Sequence, residues 1–232
     1  MVHNCKIDDK RLEPLKECMN NWGTGAGEWI TNYLSVKTVA YSCGAIARAG
    51  EAIKHDHDPA ELALCKRLSK EAAKIMAGTY LKMGDESDHE FAPFFVTANA
   101  GDKVPRKLNE KRVRAAFGGT IWPECQITIE PLKEKGPWWK AASGQPLQNI
   151  ADAKDCDDEE GVEEGERSLA AWRSMIAWFN SQEELHGACF VSIDEPKGDR
   201  FREAIGCIFP RLVLAITKQG SLVGLFGCVV HT

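Results

Sequence analysis

The spacing of apolar residues changes period near Gly118, and that change limits what the chain can fold into. Before it, apolar side chains recur every three or four positions, which puts them on one stripe of a helix. After it they alternate, which puts them on one face of a strand. Helices followed by strands define an α+β protein. The expectation is an N-terminal helical bundle followed by a smaller mixed or antiparallel sheet covered by a helix. A helical region over 1–117 and an α/β region over 118–232 follow, either separate or sharing one core.

In the first half, Leu12, Leu15, Cys18 and Met19 predict a helix over 8–21 that ends in the glycine-rich turn from Gly23 to Gly27. Residues 28–54 predict a longer central helix, with Trp29, Tyr33, Val36, Ala40, Cys43 and Ala47 on one stripe and a kink near Gly44. A third helix is expected over 59–82. Its start is marked by Asp58 as N-cap, Pro59 at the first helical position and Glu61 completing a capping box. FAPFFVTANAGD reads as an apolar loop or short strand, and 106–117 as a short basic helix.

In the second half, QITIE and GACFVSID alternate as strands do, and RLVLAIT and LVGLFGCVV flank Lys218-Gln219-Gly220-Ser221 as a hairpin. Pro131, Gly136, Pro137, Gly144 and Pro146 predict a loop over 131–148 that carries Trp138 and Trp139. An acidic linker follows over 152–166, with nine carboxylates against one lysine, and leads into a helix over 166–180 that buries Leu169, Trp172, Ile176 and Phe179.

The 232 residues, 44% of them hydrophobic, suffice for a sizeable core, and no apolar run approaches the roughly 20 residues that span a bilayer. No membrane association is expected. The N-terminus lacks the character of a secretory signal or transit peptide. The nine cysteines are odd in number, contain no CxxC pair and fall largely at apolar positions such as Cys43, Cys65, Cys189, Cys207 and Cys228. They read as free thiols of a soluble cytoplasmic protein.

His55-Asp56-His57-Asp58 is the strongest candidate for chemistry, because imidazole and carboxylate suit a divalent metal such as zinc, iron or manganese. Asp58 is already explained as a cap, which leaves His55, Asp56 and His57 as candidate ligands. A second cluster, Asp85, Glu86, Asp88, His89 and Glu90, lies across a helix about 36 Å long at 1.5 Å per residue, too far to share the ion. An EF-hand reading of Asp155, Asp157, Glu159 and Glu166 fails at Glu160, where such a loop needs glycine. His186 lies near Cys189, but alternation sets Cys189 with Val191 and Ile193 on the apolar face, as a buried inert thiol.

The acidic run contributes minus eight to a net charge of minus five, so the remainder is mildly basic. Arg106, Lys107, Lys111 and Arg114 gather in one short segment. Nucleic-acid binding is disfavoured, since the cations are few and no aromatic residue interleaves before Phe117. No P-loop, GxGxxG or GxSxG motif occurs. The preferred expectation is a binding protein, taking a protein partner or a second copy of itself through Trp138, Trp139 and the basic segment. The alternative is a metal-dependent hydrolase with its site at residues 55–58.

Overall fold

Branched aliphatic and aromatic residues dominate the last two strands, and these form the adjacent pair on which the sheet is built. The structure, a computed structural model, describes residues 5–20, 33–51, 53, 55–81, 83, 89–196 and 208–230. Its elements in chain order begin with α1 (Asp9–Leu12), a 3-10 turn (Glu13–Cys18), β1 (Met19–Asn20), β2 (Leu34–Ser35), β3 (Thr38–Ala40) and β4 (Ile46–Arg48). Then follow α2 (Pro59–Met76), β5 (Ala92–Val96), α3 (Glu110–Ala116), β6 (Gln126–Pro131), α4 (Pro137–Asp155) and α5 (Glu159–Ser181). The chain closes on β7 (Leu185–Asp194), β8 (Ile208–Thr217) and β9 (Leu222–Val230).

The protein is α+β. Its main sheet has five antiparallel strands in the order β5-β9-β8-β7-β6. Residues 209–217 of β8 and 222–229 of β9 are buried throughout, so both faces of the sheet are covered. On one face Phe226 meets Phe94 and Phe117, and Cys228 meets Cys18 of the 3-10 turn. On the other, Trp138 stacks on Phe190 and Trp172 meets Phe91 edge-on. A single apolar cluster runs from Leu15 to Val229, and β5, from the first half of the chain, lies at one edge of the sheet.

The N-terminal half is less helical than its periodicity predicts. Residues 38–48 form an antiparallel hairpin instead of the middle of a long helix; residues 28–32 lie outside the described part. The backbone of the hairpin shows why. Gly44 and Gly50 adopt φ of 96° and 85°, which no helix accommodates, and Thr38 and Val39 are β-branched. The helix expected over 8–21 shortens to α1 and a 3-10 turn, because Pro14 supplies no N–H to the ladder. α2 ends at Met76, short of the predicted Lys82, though Cys65, Leu68, Ala72 and Met76 are buried on the predicted face.

The loop expected over 131–148 holds only at residues 132–136, and the remainder is helix. Pro137 occupies the first turn of α4, where its missing N–H costs nothing, and Pro146 is accommodated inside the helix. The acidic segment is likewise ordered. Asp158 accepts from the Gly161 N–H at 3.1 Å as the N-cap of α5, and Glu159 and Glu160 lie in the first turn, where the helix dipole favours carboxylates. α4 and α5 pack as a hairpin. A Cβ at Gly165 would stand 2.5 Å from Ile150 Cγ1, so this close approach requires glycine. In α5 the residues Leu169, Trp172, Ile176 and Phe179 are buried as predicted.

Phe226 is almost fully buried between Phe94 and Phe117, whereas Leu147 is 53% exposed. Phe226→Ala is expected to lower unfolding stability in urea by about 3–5 kcal/mol. Leu147→Ala should stay within about 0.5 kcal/mol of the parent.

Candidate metal centre

Residues 55–57 lead into the N-cap of α2 without regular secondary structure, and the side chains of His55 and His57 lie on the same side. His55 and His57 are buried and Asp56 is exposed. The backbone is fixed on its outer side, where the Asp56 N–H donates to Asn99 Oδ1 at 3.1 Å and the Ala100 N–H donates to the Asp56 carbonyl at 2.6 Å. The two imidazoles stack with centroids 5.6 Å apart. Facing them is Cys43, from the turn between β3 and β4. One ligand atom each from Cys43, His55 and His57 lie within 4.8 Å of one another, and all three residues are buried.

One hydroxyl sets the chemistry of His55. Thr97 follows β5, and its Oγ1 donates to the Cys43 carbonyl at 2.6 Å. Having given its one proton there, it accepts from His55 Nε2–H at 2.7 Å. His55 is thereby held with its proton on Nε2 and its lone pair on Nδ1, the arrangement that outer hydrogen bonds impose on metal-binding histidines. Burial, and after it the neighbouring His57, lowers the His55 pKa from its ordinary value, so the neutral ring prevails at neutral pH. The Nδ1 atom of His57 is buried and makes no hydrogen bond among the described residues, while its ring rests against His55.

The turn that carries Cys43 is clamped by Arg11. Its guanidinium donates to the carbonyls of Tyr41 at 2.5 Å, Gly44 at 3.2 Å and Phe95 at 2.5 Å, and lies 4.2 Å over the Phe95 ring. Burial lowers its pKa to about 10, which leaves it charged at neutral pH. Gly44 is needed twice over: its φ is positive, and a Cβ there would meet Thr97 Oγ1 at 2.4 Å and displace the hydroxyl.

Cys43 is also joined to Cys5 in a disulfide, with Cα atoms 5.4 Å apart, which corrects the reading of the cysteines as uniformly free. The remaining described cysteines are thiols, and two of these, Cys18 and Cys228, bring their sulfurs within 2.9 Å. Cys189 lies on the apolar face as predicted, and burial pushes its pKa up to about 12, where a thiol is unreactive.

Of the predicted metal ligands, then, the structure brings together His55 and His57 and leaves Asp56 outside the group. Cys43 is the candidate ligand that the sequence reading missed. It stands alone in sequence, and its helical assignment gave it a packing role. Of the predicted contact residues, Trp138 is a core residue, stacked on Phe190 with its indole N–H donating to the Pro131 carbonyl, and Trp139 is partly buried against it. Arg114 turns back to the carbonyls of Trp122 and Cys125 and to Glu110. Arg106, Lys107 and Lys111 are exposed.

The second acidic cluster lies largely outside the described residues, as does the Gly23–Gly27 turn; its His89 pairs with Glu17 at 3.0 Å. Glu61, expected in a capping box, is buried and accepts from the Thr217 hydroxyl, while the Asp58 half of the cap holds at Ala60. No protein-family model and no curated protein matches the chain.

Thr97→Val keeps the shape of the side chain and strips both hydrogen bonds from the buried His55 ring and Cys43 carbonyl. A loss of about 1–3 kcal/mol in urea unfolding is expected. Thr97→Ser should retain most of the stability.

Proposed function

We propose that this protein binds a divalent metal ion through Cys43, His55 and His57. The observation that carries the reading is the convergence of three buried ligand atoms of the right chemistry within 4.8 Å. Zinc coordinates sulfur at about 2.3 Å and imidazole nitrogen at about 2.0 Å, so neighbouring ligand atoms of a tetrahedral site stand about 3.3–3.8 Å apart. Small side-chain rotations reach that spacing. A thiolate beside two imidazoles favours zinc over the iron or manganese that a carboxylate ligand would admit. A reducing, cytoplasmic setting, in which the Cys5–Cys43 bond opens, is the one in which the centre fills.

Because the ligands are buried and lie on separate segments, the ion would tie the Cys43 turn to the start of α2. That is the work of a structural or regulatory centre more than of a hydrolase. The hydrolase reading keeps one supporting feature, a cleft of about 400 Å³ whose wall includes His55 together with Asn99, Asp102 and Arg112. The reading as an interaction protein is weakened by the burial of Trp138, and the partly buried Trp139 with the exposed Arg106, Lys107 and Lys111 is the surface left to it.

Protein purified reduced, without tag or chelator, is expected to carry about one zinc per chain by elemental analysis. His55→Ala and His57→Ala should remove it while the far-ultraviolet circular dichroism stays unchanged. Thr97→Val, which leaves every ligand in place, should weaken zinc binding about 10- to 100-fold. Folded, reduced wild type that neither retains nor takes up zinc would overturn the reading.

A further inference from the structure

Cys43 takes part in two arrangements that exclude each other. Its sulfur is bonded to Cys5, and the same sulfur is the third member of the group with His55 and His57. A disulfide sulfur is no thiolate and does not serve zinc as one. We infer that Cys5 is the fourth ligand of the reduced centre, and that the Cys5–Cys43 disulfide is its metal-free form, so that oxidation expels the ion and reduction readmits it. The inference rests on the metal-binding reading above.

The backbone around Cys5 supports it. The Ser42 N–H donates to the Lys6 carbonyl at 2.7 Å, the Lys6 N–H donates to Ser42 Oγ at 3.2 Å, and the Asp8 N–H donates to the Ala40 carbonyl at 2.9 Å. Ile7 forms an antiparallel bridge with Tyr41. None of these bonds involves sulfur. Residues 6–8 therefore stay paired with 40–42 when the disulfide opens, and Cys5 remains beside Cys43. Two thiolates and two imidazoles make a complete tetrahedral zinc set of the structural kind, with no position left for water. Cys5 is only partly buried, so an oxidant reaches it first, whereas Cys43 is buried behind it.

The chemistry balances with a two-electron oxidant such as hydrogen peroxide. The Cys5 thiolate attacks one peroxide oxygen, the O–O bond breaks, and the departing oxygen leaves as water after taking up a proton; Cys5 becomes a sulfenic acid. The Cys43 thiolate then attacks that sulfur, the S–S bond forms, and the second oxygen leaves as water with another proton. Peroxide is reduced to two waters and two thiolates are oxidised to one disulfide. Zinc, left with two imidazoles, dissociates. A dithiol reductant returns two electrons and two protons to the sulfurs, and rebinding of zinc releases those protons.

The experiment loads the reduced full chain with zinc, titrates it with hydrogen peroxide in the presence of a chromogenic chelator, and locates disulfides by peptide mass mapping. Mapping is needed because Cys18 and Cys228 are also close enough to couple. Expected is release of zinc in step with the Cys5–Cys43 cross-link, and uptake again after dithiol reduction. Cys5→Ser should bind zinc through the remaining three ligands more than about 100-fold more weakly, beyond what loss of an outer-shell partner costs. Equal zinc affinity of wild type and Cys5→Ser, or zinc still bound once the cross-link has formed, would overturn the inference and leave the metal centre standing. Absence of zinc binding by reduced wild type and by Cys5→Ser alike would overturn both.

Discussion

The β8–β9 pair is buried on both of its faces, and much of the fold answers to that requirement. A strand that is apolar on both sides cannot face water, so the protein must supply two covering layers. One layer holds α2 and the α4–α5 hairpin, with Trp138, Trp172 and Phe91 against the sheet. The other is assembled from short pieces, the 3-10 turn with Cys18 and the end of α3 with Phe117. Arg211, a charge within the central pair, is tolerated because its guanidinium pairs with Asp194 at 2.9 Å and donates to the Ile193 and Pro210 carbonyls.

The candidate centre arises at the margin of this sheet. β5 is an edge strand, and an open edge presents backbone groups that need partners. Arg11 answers the Phe95 carbonyl and, with the same guanidinium, grips the turn of the β3–β4 hairpin. That grip sets Cys43 against Thr97, the residue that follows β5. The hydroxyl of Thr97 then reaches His55 across a gap that only glycine at position 44 leaves open. Protection of a sheet edge and assembly of a ligand cluster are one arrangement here, and disturbing Arg11, Gly44 or Thr97 disturbs both.

Buried sulfur is put to different uses according to its neighbours. Cys65, Cys125 and Cys189 are raised to a pKa of about 12, chiefly by burial, and behave as small apolar residues. Cys43 differs because two imidazoles and a second cysteine converge on it. The contrast is of surroundings and not of residue type, which is why composition and local pattern treated all of these cysteines alike.

The sequence by itself determined the elements whose signals are local. The alternation of QITIE and GACFVSID, the last hairpin, the apolar stripe of α5 and the Asp58-Pro59 start of α2 all depend on side chains within a few positions of each other. Pairing His55 with His57 was legible for the same reason, since only Asp56 stands between them. Tertiary structure alone decided the rest. Apolar spacing over 28–54 resembles a helix, but the positive φ of Gly44 and Gly50 and the partners available at the sheet edge turn residues 38–48 into a hairpin. Prolines at 137 and 146 look like breaks in a loop, but a first turn and packing against α5 absorb them. Cys5 and Cys43 stand 38 positions apart, and both their joining and the meeting of Cys43 with His55 and His57 depend on the path of the backbone between them. Proximity of that kind is made by packing, and a local pattern carries no trace of it.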